Sequence, residues 1–142
     1  MDQYLSENFT YKEFFDSPKA KKLGINNTTD KALILNNIKE LVFHVLQPLR
    51  DKFDVPIHIN SGYRCLKLNA AVGGVPSSQH VMGQAADIVV EGKKPIEVAE
   101  MIVEMGLPYD QIGLYGTFVH VSVSSRQRGH IFYDKSYKDR KL

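Results

Sequence analysis

The feature that most limits the fold is the order of two hydrophobic periodicities along the chain. Helical spacing dominates the first third, and strand-like alternation dominates the remainder. Leu35, Ile38, Val42, Val45 and Leu49 recur every three or four residues, which predicts one buried face of a long helix starting at Thr28 or Thr29. Pro48 lies in that helix and, lacking an N–H, must kink it or interrupt its last turn. Two short helices are expected earlier. Thr10-Tyr11-Lys12-Glu13 has capping-box spacing, and Ser17-Pro18 places a cap before a proline at the first helical position, with Gly24 as the stop.

Strand signals then accumulate. Ile57-His58-Ile59-Asn60 alternates, Ser61-Gly62 turns, and a small helix is expected from Cys65 to Val72, ending at Gly73-Gly74. Ala85 to Val90 reads as a buried strand. Pro95 opens a helix with Ile96, Ala99, Ile102 and Val103 inward. Gln111 to Tyr115 and Phe118 to Val123 form a hairpin about Gly116-Thr117, and Ile131 to Tyr133 adds an edge strand. Helices first and strands later predict an α+β fold: a single domain over residues 1–142, with N-terminal helices packed on a mainly antiparallel sheet.

Composition removes several function classes. Eighteen basic and sixteen acidic side chains give a net charge of +2, too even for a general nucleic-acid binder. The one cysteine, Cys65, excludes an intrachain disulfide and a multi-cysteine zinc knuckle, so a bound metal would rest on histidine and carboxylate. Cys65 itself reads as a buried small residue. Met1 to Phe15 has no basic start followed by an apolar run, so no signal peptide is expected and synthesis in the cytoplasm is. No stretch approaches the roughly 20 apolar residues that cross a bilayer. The stretch from Tyr133 to Leu142 sets four basic residues against two acidic ones and reads as a solvated tail, with attraction to an anionic polymer as the alternative. The expected oligomeric state is a monomer.

The stretch from Ser78 to Asp87 carries the chemistry. His80 precedes a turn at Gly83, and Asp87 sits within Ala-Ala-Asp-Ile-Val-Val. An unpaired carboxylate in a buried strand costs several kcal/mol. A metal ion would answer that cost; so would pairing with Arg64 or backbone donors, and the two readings stand level. His120 is the natural third ligand: in Phe118-Val119-His120-Val121-Ser122-Val123 it points away from the valine face. Two histidines, one carboxylate and an open fourth position make a hydrolytic zinc site. Of the other histidines, His44 flanks the apolar helix face, His58 could line the site, and His130 reads as loop.

Four segments resemble the M15 zinc peptidases, the D-alanyl-D-alanine carboxypeptidase and peptidoglycan endopeptidase group that includes phage endolysins. They are Ser61-Gly62-Tyr63-Arg64, Leu68-Asn69-Ala70-Ala71-Val72-Gly73-Gly74, Ser78-x-His80-x-x-Gly83-x-Ala85-x-Asp87 and Phe118-Val119-His120-Val121. The resemblance runs from about Asn8 to Val123. It implies a hedgehog/DD-peptidase-like fold and a Zn2+ cofactor held by His80, Asp87 and His120. It implies Arg64 as the residue that holds a substrate carboxylate or polarises the scissile carbonyl, and Ser78 as support or substrate contact. The implied partners are peptidoglycan peptides of the bacterial cell wall, reached after phage-mediated lysis, with neither nucleic acid nor membrane insertion.

One position departs from the pattern. Many relatives carry Glu or Asp three residues before the last zinc histidine as general base; Thr117 stands there. Asp110 is the first candidate to replace it, although hairpin register sets it opposite Val123, roughly 10 Å from His120 at strand rise. Tyr115 is a second candidate, as hydrogen-bond donor to the transition state. Thr117 also favours a rival reading, a non-catalytic zinc-containing wall-binding module or structural phage component.

Overall fold

The structure is a computed structural model that describes residues 4–142; the first three residues of the N-terminal segment lie outside the described residues. A small hairpin of β1 (Tyr4–Ser6) and β2 (Phe9–Thr10) leads into α1 (Tyr11–Phe15) and α2 (Pro18–Leu23). The expected caps are present: Thr10 and Glu13 form the reciprocal capping box, and Ser17 Oγ accepts from the Ala20 N–H.

The long helix begins later than the sequence suggests, as α3 (Ala32–Leu41). Asn27 holds the preceding segment in place. Buried, it donates from Nδ2 to the carbonyls of Phe15 (3.0 Å) and Tyr63 (2.9 Å), and its Oδ1 accepts from the Cys65 N–H (2.8 Å). Pro48 does interrupt the helix, through a π-turn over Val42–Leu46, where the Gln47 N–H reaches back five residues to the Val42 carbonyl. Widening by one residue accommodates a proline that can neither donate to nor pack against the preceding turn. The axis continues as α4 (Gln47–Phe53). Ile34, Ile38, Leu41, Val42, Val45, Leu46 and Leu49 form the buried face; Leu35 is only partly covered.

That face packs on one side of a five-stranded sheet made of β3 (Ile57–Ser61), β4 (Ala85–Val90), β5 (Gln111–Leu114), β6 (Val119–Ser122) and β7 (His130–Tyr133). The strand order is β3-β4-β6-β5-β7. The first three pairings are antiparallel and the last, β5 with β7, is parallel. The sheet is therefore mainly antiparallel with a parallel edge strand, and the fold is α+β. His130 opens β7 rather than lying in a loop, because its N–H bonds the Asp110 carbonyl (3.0 Å) at the start of the parallel ladder.

Two connecting helices complete the fold: α5 (Leu66–Ala71) and α6 (Pro95–Glu104). Cys65 is half-buried, and its Sγ caps α5 by accepting from the Leu68 N–H (3.4 Å). In α6 the buried residues are Ile96, Val98, Ala99 and Ile102; Val103 points to solvent. The basic tail folds back: Arg140 makes a two-pronged ion pair with Glu100 on α6 (2.6 and 2.9 Å), and Lys141 lies over the Tyr133 ring. Among the described residues, no helix is long and apolar enough to cross a membrane.

Candidate metal centre and its cleft

Strand register builds the centre. Ser61 pairs with Asp87, Asp87 with His120, His120 with Gly113, and Gly113 with Phe132, so these five residues form one row across all five strands. A one-residue irregularity between Ile59 and Ser61 brings Ser61, rather than Asn60, opposite Asp87. The opposite face of the sheet holds Val119, Val121, Ile88 and Ile112 in the core. The row is thus set on a rigid floor, facing away from the long helix.

His80 reaches the row from the loop before β4. Its Nδ1 lies 2.7 Å from the Gly62 carbonyl. A carbonyl only accepts, so Nδ1 carries a proton, and Nε2 is the ring nitrogen turned inward; in the neutral ring it would present a lone pair. Gly62 can make this contact because the chain there runs against α1: a Cβ would stand 2.8 Å from the Phe14 Cα. His80 Nε2 is 3.3 Å from Asp87 Oδ1, and His120 Nδ1 is 2.9 Å from the same oxygen. The three ligand atoms lie within 4.8 Å of one another.

Two imidazoles and one carboxylate are the donor set of a catalytic zinc site. The tautomer supports the fit. With Nδ1 committed to Gly62, a neutral His80 sets a lone pair against a carboxylate oxygen, an arrangement that only a cation between them or a second ring proton can stabilise. Burial acts to raise the Asp87 pKa, but hydrogen bonding to His120 and His80 overrules it and holds the carboxyl well below the usual range. Asp87 is 8% exposed and remains ionised in place.

Arg64 joins the same carboxylate from the other side. Its Nη2 is 3.7 Å from Asp87 Oδ2, its Nε donates to Ser61 Oγ (3.1 Å) and its Nη1 to the buried Asn69 Oδ1 (3.2 Å). The Arg64 pairing of Asp87 is thus present, and the same carboxylate faces both imidazoles. Ser78 Oγ accepts from the His80 N–H (3.2 Å) and shapes the ligand's own turn. Tyr115 stacks on Phe118 (4.4 Å between centroids) one step along the sheet from His120. Its phenol pKa is raised, by burial and then by the charges of Asp87 and Asp134, so it is a protonated donor facing the acidic centre.

Asp110 lies where the hairpin register sets it, its N–H bonded to the Ser122 carbonyl. Its side chain is fully buried and fully engaged. Oδ1 accepts from the Arg128 backbone N–H (2.8 Å) and Nε (2.9 Å); Oδ2 accepts from Arg128 Nη2 (2.8 Å) and Gln79 Nε2 (2.8 Å). The Arg128 bonds hold its pKa well below the usual carboxylate range. A carboxylate with both oxygens taken and a depressed pKa is a poor proton acceptor, so the expectation of Asp110 as general base does not fit its surroundings. Thr117 is exposed in the hairpin turn.

His58 is exposed on β3, away from the row, and His44 pairs with Glu40 (3.5 Å) on the long helix. Two residues of the site have no signal of their own in the sequence. Phe132 lies over Gly113, its ring 6.1 Å from His120 and 6.2 Å from Tyr115. Arg128 is found only through Asp110, eighteen residues earlier.

The Peptidase M15 family model matches residues 7–122, a stretch that contains His80, Asp87 and His120. The chain belongs to the M15 peptidase family. A search of curated proteins finds no match. Membership in this peptidase family implies peptide substrates and hydrolysis.

Proposed function

We propose that this M15 family chain is a zinc-dependent peptidase that hydrolyses amide bonds in peptidoglycan stem peptides or crosslinks. The observation that carries this reading is the convergence of His80, Asp87 and His120 at one point of the sheet, with His80 Nε2 aimed inward by the Nδ1–Gly62 contact. His80 Nε2, His120 Nδ1 and Asp87 would hold the ion. Zinc bound there would supply Lewis acidity, polarising a carbonyl and lowering the pKa of water from about 15.7 towards 7.

The chain's own residues would do the rest. Arg64, braced by Ser61 and Asn69, is oriented to balance charge that develops on the amide oxygen or to hold a carboxylate of the substrate. Tyr115 stays protonated and can donate to the reacting group. Ser78 keeps His80 in position through its backbone N–H. Phe132 packs beside both Tyr115 and His120 at the edge of the row.

A second reading has its own support. Thr117 cannot accept a proton at neutral pH and Asp110 is fully engaged, which favours a zinc-containing wall-binding module or structural phage component. Incubation of purified peptidoglycan with the zinc-loaded protein, with and without chelator, separates the two. The peptidase reading expects new muropeptide masses that vanish with chelator. Cosedimentation with the wall and no new masses would give the second reading the field.

A further inference from the structure

Of His80, Asp87 and His120, only His80 stands outside a strand. It lies in residues 72–84, which hold neither helix nor strand and join α5 to β4. Turns set the backbone locally: the Ser78 carbonyl accepts from the Val81 N–H (3.1 Å), and the Gln79 carbonyl from those of Met82 (3.1 Å) and Gln84 (2.9 Å). Such bonds fix the shape of a segment and leave its place over the sheet to longer-range ties. On the β3 side, His80 Nδ1 meets the Gly62 carbonyl, and the Arg64 N–H donates to the His80 carbonyl (3.1 Å). On the other side, Gln79 Nε2 donates to Asp110 Oδ2 (2.8 Å), at the entry to β5. In the strand order β3-β4-β6-β5 these ties straddle β4 and β6, the two strands that carry Asp87 and His120.

The Asp110 anchor is rigid. The residue is fully buried, its N–H donates to the Ser122 carbonyl (2.8 Å) on β6, and its carbonyl accepts from the His130 N–H (3.0 Å) on β7. Arg128 supplies three more donors to its carboxylate at 2.8–2.9 Å. The tied amide is not otherwise satisfied. Gln79 Oε1 is shielded from water and has no hydrogen-bond partner among the described residues. Turning the amide over would set its oxygen against a carboxylate, so the Asp110 charge dictates which end faces it. A buried acceptor left unpaired lowers stability, and here it accompanies a bond that fixes the neighbour of His80.

We propose that the Gln79–Asp110 bond positions the metal centre: Asp110, although no ligand, holds the residue next to His80 and so sets the affinity of the site for zinc. The proposal rests on the metal assignment in the reading above and gives the buried Asp110 a use other than proton transfer.

Gln79→Met tests it, because methionine keeps the side chain's length and removes both the donor and the orphaned oxygen. The zinc-free variant should melt with the parent or slightly above it, since the lost bond and the lost orphan offset one another. Zinc affinity, read by competition with a chromophoric chelator, should fall by about tenfold or more. Amide hydrogen exchange over residues 79–84 of the zinc-free protein should quicken, while exchange in the sheet stays as in the parent. A variant that binds zinc as tightly as the parent overturns the proposal. So does weaker binding accompanied by a lower zinc-free Tm and faster exchange throughout the sheet, which would make the bond a support of the fold at large. Turnover on peptidoglycan is scored separately. Weakened zinc binding in the variant, with no cleavage by the zinc-loaded parent, sinks the peptidase reading alone. Equal zinc affinity with cleavage sinks the positioning role alone, and a parent that takes up no zinc sinks both.

Discussion

Gly113 faces His120 on one side and Phe132 on the other, and its missing side chain is what lets the phenyl ring lie against the metal row. Its φ is not in the left-handed region, so alanine fits the backbone there. On backbone entropy alone Gly113→Ala would stabilise by about 0.4–1 kcal/mol. The new Cβ, however, would stand 2.3 Å from Phe132 Cζ and 2.7 and 2.8 Å from the two Cε atoms. Carbon atoms in contact prefer about 3.5–4.0 Å, so the ring must retreat by roughly 1 Å or more. Overpacking of this kind costs about 1–3 kcal/mol, which leaves a net loss of about 1–2 kcal/mol, or roughly 4 °C in Tm for each kcal/mol. In a Phe132→Ala background the obstacle is gone, and the same substitution should be neutral or mildly stabilising. Urea unfolding of the parent, both single variants and the double variant gives the coupling, expected at about 1–3 kcal/mol. A coupling within about 0.5 kcal/mol of zero would refute the placement of the ring over Gly113.

Three further outcomes are expected. His120→Ala should lose bound zinc in elemental analysis while keeping the far-ultraviolet circular dichroism of the parent; full metal stoichiometry would remove His120 from the ligand set. Arg64→Ala should lower peptidoglycan turnover at least tenfold, about 1.4 kcal/mol in the barrier, with Tm reduced by only a few degrees; a large stability loss with unchanged turnover per folded molecule would make Arg64 a structural partner of Asp87. Asp110→Asn should lower stability, because the Arg128 backbone N–H, Nε and Nη2 exchange a charged acceptor for a neutral amide at a buried position. The Asp110 pKa is depressed by folding, so its contribution is complete above the unfolded value of about 3.9 and is lost as pH falls below it. The parent's unfolding free energy should therefore drop between about pH 4 and pH 2 more steeply than the variant's, and equal slopes would contradict the pairing.

The parts of this fold that were legible in the sequence are those set by local rules. Caps at Thr10 and Ser17, the strand Ala85–Val90 and the hairpin register that sets Gly113 against His120 depend on neighbours in the chain. Asp87 and His120 stood out because they interrupt apolar strands, and His80 because it stands just before the Gly83 turn. What escaped was set by contacts distant in sequence. The start of α3 moved because Asn27 is spent on carbonyls 12 and 36 residues away. Asp110 looked free because Arg128, which occupies it, lies beyond the next strand. Val103 has the hydrophobicity of a core residue, but helical phase turns it outward and puts Val98 in its stead. Phe132 reads as an ordinary strand residue until β7 is known to run parallel to β5, which lays it over a glycine.

That edge strand divides the labour of the molecule along the chain. His80, Asp87 and His120 all precede residue 122, inside the stretch matched by the family model, whereas Arg128 and Phe132 come after it. The ring of Phe132 lies against Gly113 and His120 because a short parallel pairing, four residues long, returns the chain to β5. Inheritance can act on these two stretches independently. Substitutions after β6 can change what lies against this row while leaving Asp87, His120 and Gly113 themselves in place.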